Sequence, residues 1–294
     1  MHHEELSLLF MEKLNEEFNG RLDTAISIFK GTYGKPFLSQ LVSSQLDMDR
    51  MDYLNRDSFF TGVSEGVIGY DRLIKMLTVY NGELVVEEKG LYSVERFLTA
   101  RRLMYWQVYL HKTVLSAELM LIKTLERAKD LIATGVAVPA PRVLSFFLEN
   151  RGLQPIDFIT RRDELLATFA RLDDMDIASA VKEWQFHSDQ ILAFLAHGLA
   201  NRQLFRLEFR AEPFDDAYCN HIKERMAAAA HLPQGCEPYF FMMGKETNRN
   251  YSTSKNEIRI LRKNGTVVPM SQIEDSAIQP RLFTKHYLFY PKNI

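Results

Sequence analysis

Between Gly90 and Gly135 the chain contains neither glycine nor proline. These residues are the strongest interruptions of a helix interior, and the stretch between them repeats apolar positions at three- and four-residue spacing. The spacing predicts a single helix, or a barely interrupted pair, running for about 60 Å at 1.5 Å per residue. A rod of that length is a spine against which other helices bury their apolar faces, so the fold class is mainly α. Upstream, Leu8, Met11, Leu14 and Phe18 form one apolar stripe closed by Asn19-Gly20. Further helices are expected over 22–29, over 48–59 and from Tyr70, with a short strand at 83–87. Pro139 and Pro141 make 136–142 a linker or a sharp corner. Helical period returns over 142–150, 162–172, 175–186 and 187–200, and the pattern then turns partly to period two at 203–210. A helix at 215–230 is expected among strands at 238–243, 257–263 and 285–290, with Lys263-Asn264-Gly265 as a turn. The domain reading is a helical domain at 1–135 built on the spine, a helical extension at 136–202 and a small α+β region at 203–294.

Composition bears on function more than on fold. Among 294 residues, 36 Lys and Arg face 38 Asp and Glu for a net charge of −2, and 46% of residues are hydrophobic. That is the make-up of a folded globular chain, not of a disordered or collagen-like one. No apolar run reaches the ~18 residues that cross a bilayer, and the first ten residues lack the basic start and apolar core of a signal peptide. A cytoplasmic protein without membrane contact is expected. Cys219 and Cys236 are too few for a disulfide framework and are not spaced as a zinc or redox motif. The near-zero charge gives no indication of nucleic-acid binding, and Lys245, Arg249 and Lys255 read as scattered residues of a loop. A small anionic ligand is easier to accommodate. HExxH, GxxxxGK[ST] and GxGxxG are absent, which removes the commonest zincin, P-loop and Rossmann readings.

Two polar constellations stand out. Residues 43–63 gather Asp47, Asp49, Asp52 and Asp57 with Arg50 and Arg56. On a helix Asp49, Tyr53, Arg56 and Asp57 fall at i, i+4, i+7 and i+8, one face that would suit a nucleotide. The plainer alternative is a solvated helix laced with pairs such as Asp52–Arg56. The second constellation, 101–112, puts Arg101, Tyr105, Val108, Tyr109 and Lys112 on one stripe of the spine. Arg suits bidentate phosphate binding and a Tyr ring can wall a sugar or base, whereas Tyr105, Trp106 and Tyr109 can equally be core or interface aromatics. His111 alone reads as a structural histidine. His187 and Asp189, two apart on a helix, point away from one another and make a poor metal pair. His2-His3-Glu4-Glu5 taken alone reads as a flexible start.

Together, residues 43–63, 70–77, Arg101 with Tyr109-Leu110-His111-Lys112, and 257–270 resemble the HD-domain phosphohydrolases. Within them they resemble the deoxynucleoside-triphosphate (dNTP) triphosphohydrolase branch that includes the SAM- and HD-domain enzyme of animals. The resemblance spans most of the chain and implies an HD-like helical bundle, incomplete at its N-terminus, with a C-terminal α+β region. It implies Asp49 as a metal ligand, Arg50 on phosphate, Tyr53 against the sugar where it discourages a 2′-hydroxyl, and Asp57 accepting from the 3′-hydroxyl. Arg101 would clamp the terminal phosphates and Tyr109 would line the nucleotide pocket. His3, in the His-Glu that follows the HD motif, would move a proton or touch phosphate. Leu110 stands where the animal enzyme has Gln, so base preference does not transfer. The implied cofactor is a divalent metal, Mn, Mg, Fe or Zn, and the implied partners are a dNTP substrate and further copies of the chain, for which Tyr105 and Trp106 offer interface material.

The family holds its metal through an upstream His, a His-Asp dipeptide and the later Asp, and this sequence contains no His-Asp dipeptide. Only Asp49 of the four ligands remains, and a lone carboxylate is a poor trap for a transition metal. The chain therefore reads as an N-terminally truncated member that does not retain the metal and is inactive by itself. The apolar stripes of helices within 4–60 should then be partly exposed and weakly ordered. The function expected of the intact protein is hydrolysis of a dNTP to deoxynucleoside and triphosphate. The alternatives are hydrolysis of another nucleotide or phosphomonoester, and a non-catalytic role in binding or oligomerisation.

Overall fold

A computed structural model describes residues 2–249, 251, 257–273 and 282–294. In chain order the helices are α1 (His3–Glu17), α2 (Asp23–Phe29), α3 (Pro36–Val42), α4 (Met48–Thr61) and α5 (Tyr70–Met76). A hairpin of β1 (Leu77–Tyr80) and β2 (Glu83–Glu87) leads to α6 (Leu91–Met104), a π-helical turn at Tyr105–Tyr109 and α7 (Lys112–Ala133). Then come α8 (Arg142–Glu149), α9 (Asp157–Thr160), α10 (Arg162–Phe169), α11 (Asp174–Trp184), α12 (Gln190–Ala200), β3 (Arg206–Arg210) and α13 (Asp216–Ala228). The tail holds α14 (Glu237–Phe240), β4 (Met242–Arg249), β5 (Arg259–Leu261), β6 (Val267–Pro269) and β7 (Leu282–Tyr290). The mainly helical fold with a small C-terminal α+β part is the one the sequence implies.

The chain divides into two compact units: residues 2–110 with the described part of 247–283, and residues 111–246 with 284–294. In the first, α4, α5 and α6 bury one core in which Leu54, Phe97, Leu98 and Met104 are wholly removed from solvent. Each such side chain contributes about 1.5–3 kcal/mol of burial free energy. A four-stranded sheet of order β1-β2-β5-β6 closes it, with β2 parallel to β5 through Val86↔Ile260 and the other pairs antiparallel. Asn81 and Gly82 carry the positive φ values, 50° and 81°, of the two-residue hairpin turn between β1 and β2. By contrast α1, α2 and α3 bury no residue, and Leu14 and Phe18 stay 42% and 48% exposed.

In the second unit α7 is covered on one side by Phe205, Phe240 and Phe289, with ring centroids 5.0–5.1 Å apart, and on another by α8, α11 and α12. The buried Trp184 Nε1 donates to the Pro139 carbonyl at 2.6 Å, which fixes the proline corner against α11. Strands β3, β7 and β4 make its sheet in that order.

Of the two readings of the spine the interrupted pair is the one found: Leu110 (φ −103°, ψ 23°) and His111 (ψ 138°) leave helical geometry, and the His111 ring accepts the Thr113 N–H as an N-cap. Three expectations need correction. The residues at 238–241 do not form a strand. Pro238, preset for the first turn of a helix, sits in α14, and β4 begins only at Met242. Lys245 and Arg249 accordingly lie in a strand and not in a loop, while Lys255 lies outside the described residues. The two units also cut the chain elsewhere than at 135 and 202, because the tail returns to contribute strands to both.

Candidate phosphate and nucleotide site

The site belongs to the first unit and is built on α4 and α6. Asp47 starts α4 as its N-cap, its Oδ1 accepting the Arg50 N–H at 2.8 Å, and Gly62 (φ 72°) ends it in the left-handed conformation that glycine adopts without strain. Met51, Leu54 and Ser58 turn to the core at i, i+3 and i+7, so Arg50, Tyr53 and Asp57 lie beside them at the rim, half-buried. From α6 comes Arg101, and from the π turn come Tyr105 and Tyr109. In an unbroken α-helix Tyr109 would be rotated roughly 80° from Arg101, and one wider turn takes that rotation back. The Leu110 N–H closes that turn on the Tyr105 carbonyl at 2.7 Å.

These elements bring together most of the residues the sequence singled out. The Tyr109 hydroxyl donates to Asp57 Oδ2 at 2.6 Å, and the Tyr109 ring meets Tyr53 and Tyr105 edge-on at 6.1 and 5.7 Å. Burial, helped by the hydrogen bond to Asp57, pushes the Tyr109 phenol well above its ordinary range, so it is a donor throughout neutral pH. Burial also raises Tyr53, against the opposing pull of Arg101 and Arg50. Arg50 is lowered by burial and then by the neighbouring Arg101 charge, while the Glu4 carboxylate at the start of α1 acts in the other direction. Arg50 Nη1 donates to the Ser44 carbonyl at 2.6 Å and pairs with Asp47. Arg101 makes no hydrogen bond or ion pair among the described residues, so of the two guanidinium groups only Arg50 is paired with a carboxylate. Guanidinium groups suit an anion with several oxygens, as phosphate has.

Not every candidate joins the cluster. Arg56 turns away to Asp52 at 2.8 Å, with both partners more than half exposed, so the plain surface-pair reading holds for it. His3 is exposed, and its side chain hydrogen-bonds to nothing among the described residues. Asp49 is exposed, and no three His, Cys, Asp or Glu side chains gather to hold a metal ion among the described residues. Beside two guanidinium groups, Asp49 alone does not fit a resident divalent metal. Asp189, expected with His187 to be a poor metal pair, caps α12 and pairs with Arg127 at 2.5 Å.

Sequence reading passed over two features. Asp47 was one acid among several, although an Asp before a helical stripe with Arg at i+3 signals a cap and a pair. Gly62-Val63-Ser64-Glu65-Gly66 matches the G-x-S-x-G of a nucleophile elbow, which requires a strand leading into a helix. Here it follows α4 and forms a 3₁₀ turn, so Ser64 has no such role.

Comparison with known proteins places the chain. A model of the HD associated region matches residues 68–137, which include Arg101 and Tyr109. The crystal structure of a phosphohydrolase from Bacteroides thetaiotaomicron superposes with a TM-score of 0.92 at 44% identity, covering 99% of this chain and 73% of that one. YwfO of Bacillus subtilis, an uncharacterized protein, is 30% identical over 275 residues, 90% of this chain and 59% of its own length. A Dictyostelium discoideum protein named as a homologue of the deoxynucleoside triphosphate triphosphohydrolase SAMHD1 is 24% identical over 153 residues, 48% of this chain and 30% of that one. The chain thus spans about three-fifths or less of the curated relatives it matches. With 44% identity to the Bacteroides thetaiotaomicron phosphohydrolase, of which it covers 73%, and a match to the HD associated region, the chain belongs to the HD-domain phosphohydrolase family.

Proposed function

We propose that the chain carries the substrate-binding wall of a nucleotide phosphohydrolase and that the nucleotide is a deoxynucleoside triphosphate. The observation that carries the reading is the Asp57–Tyr109 pair against the Tyr53 ring, with Asp57 and Tyr53 on the same helix as Arg50, which Asp47 holds, and with Arg101 acting on the Arg50 charge. Arg50 and Arg101 bind the phosphate oxygens. Tyr53 and Tyr109 wall the sugar, and Asp57, whose Oδ2 already accepts from Tyr109, offers Oδ1 to the 3′-hydroxyl. The named activity of the Dictyostelium relative and the residue pattern of 43–63 support dNTP over other nucleotides. A divalent metal would supply an activated water and neutralise phosphate charge, but the residues gathered here do not fit one. The chemical step is therefore not assigned to this chain, which binds nucleotide and by itself does not turn it over.

The test is triphosphate release from a dNTP panel with Mn²⁺ or Mg²⁺, for the chain and for Asp49→Ala, alongside binding of the same nucleotides. Saturable dNTP binding without release from either protein is expected. Release by the chain that Asp49→Ala abolishes would show that a metal site is complete after all. Ribonucleotides binding as tightly as dNTPs, unaffected by Tyr53→Ala, would move the substrate class to nucleotides in general.

A further inference from the structure

We infer that Asp47 is a positioning residue for Arg50: it holds one side of the guanidinium group so that Nη2 and Nε are left for a phosphate beside Arg101. The inference rests on the nucleotide-binding reading above. Capping α4 takes only Oδ1, which accepts the Arg50 N–H at 2.8 Å, and Ser, Thr or Asn caps as well as Asp. The negative charge is surplus to that task, yet the side chain is 3% exposed. Burying a carboxylate is costly unless it is paired, and here Oδ2 accepts the Ser44 N–H at 3.3 Å and pairs with Arg50 Nη1. Nη1 also donates to the Ser44 carbonyl at 2.6 Å, so Arg50 is fixed from one side by a carboxylate and a carbonyl. Its Nη2 and Nε have no partner among the described residues.

Arg50 is under pressure to leave. It is about two-thirds buried and faces the like charge of Arg101, and a free Arg side chain keeps about 2 kcal/mol of rotamer entropy. Without Asp47 only the Ser44 carbonyl would hold it, and it would be free to swing into solvent. Buried ion pairs are weak contributors to net stability, so holding a geometry accounts better for this one than stabilisation does.

The experiment measures inorganic triphosphate binding by calorimetry at fixed ionic strength for the full chain and for Asp47→Asn, Arg50→Gln, Arg101→Gln and the Asp47→Asn/Arg50→Gln double variant. Asn keeps the cap acceptor Oδ1 and puts an amide nitrogen in place of Oδ2, the oxygen that takes the Ser44 N–H and Arg50 Nη1. Asp47→Asn is expected to bind about tenfold more weakly, and to cost nothing further once Arg50 is Gln. If it binds as tightly as the parent, or tighter, while both arginine variants weaken, the positioning role is overturned and the nucleotide reading survives. If it costs as much in the Arg50→Gln background as in the parent, Asp47 acts through the fold, which also overturns the role. If the parent does not bind triphosphate, or neither arginine variant weakens it, the nucleotide reading itself fails and the inference with it. Should Asp47→Asn not fold, Asp47→Ser keeps a cap hydroxyl and ¹⁵Nε relaxation of Arg50 replaces the titration. Greater guanidinium motion with unchanged α4 amides supports the role, and unchanged motion overturns it.

Discussion

Tyr109 and Asp57 stand 52 positions apart and meet at 2.6 Å. Replacing Tyr109 with Phe keeps the ring contacts to Tyr53 and Tyr105 and removes one hydrogen bond to a charged acceptor, so a loss of about 1.5–3 kcal/mol is expected. A urea melt with an unchanged slope and a lower midpoint would show it. The pH dependence has a definite sign. Because the folded phenol is raised above the unfolded value of about 10, its contribution is fully present below that pH and is lost as pH rises through the folded pKa. Ultraviolet titration of the folded protein should therefore show tyrosines ionising later than in Tyr109→Phe. At this scale the sequence was largely readable. Arg50, Tyr53, Asp57, Arg101 and Tyr109 each carried a type suited to nucleotide binding, and the fold brings them together. The i,i+4 spacing also gave the Asp52–Arg56 surface pair; what was hidden is that Arg50 folds back on its own cap.

At the scale of elements, the close approach of α4 to α6 depends on Gly66. A Cβ there would lie 2.6 Å from Met104 Sδ and 2.8 Å from Ser58 Cβ, both in the packed core. Gly66→Ala is expected to destabilise by about 1–3 kcal/mol through overpacking and, by parting the two helices, to weaken triphosphate binding as well. A lower melting temperature with undiminished binding would show that the site tolerates the shift. Helices α4 to α8 and α10 to α13 follow the apolar period closely enough to be read from it. The π turn is not readable, since 105–109 has the same apolar spacing whichever hydrogen bonds it makes. The β1–β2 hairpin was half missed although Asn81-Gly82 is its standard turn signal: only the second strand was expected, and the helix from Tyr70 was given no end. Pro238 was read as lying in a strand when its fixed φ serves equally well in the first turn of α14.

For the molecule as a whole, burial is uneven. The first three helices bury no side chain, whereas α6 and α7 bury many. Amide exchange should therefore be fastest through residues 3–42 and slowest in α6 and α7. Equal protection across them would mean that α1–α3 are held by more than their own contacts. The two-unit organisation escaped the sequence because each unit is discontinuous: residues after 246 return to the first and those after 283 to the second, a property of topology and not of local pattern. The central claim is that Arg50 and Arg101 make this chain a nucleoside-triphosphate binder. Equilibrium binding of a deoxynucleoside triphosphate to the parent and to Arg101→Gln tests it most directly. We predict saturable binding that falls at least about tenfold in the variant, as loss of one charge-assisted phosphate contact implies. No saturable binding, or equal affinity in both proteins, would contradict it.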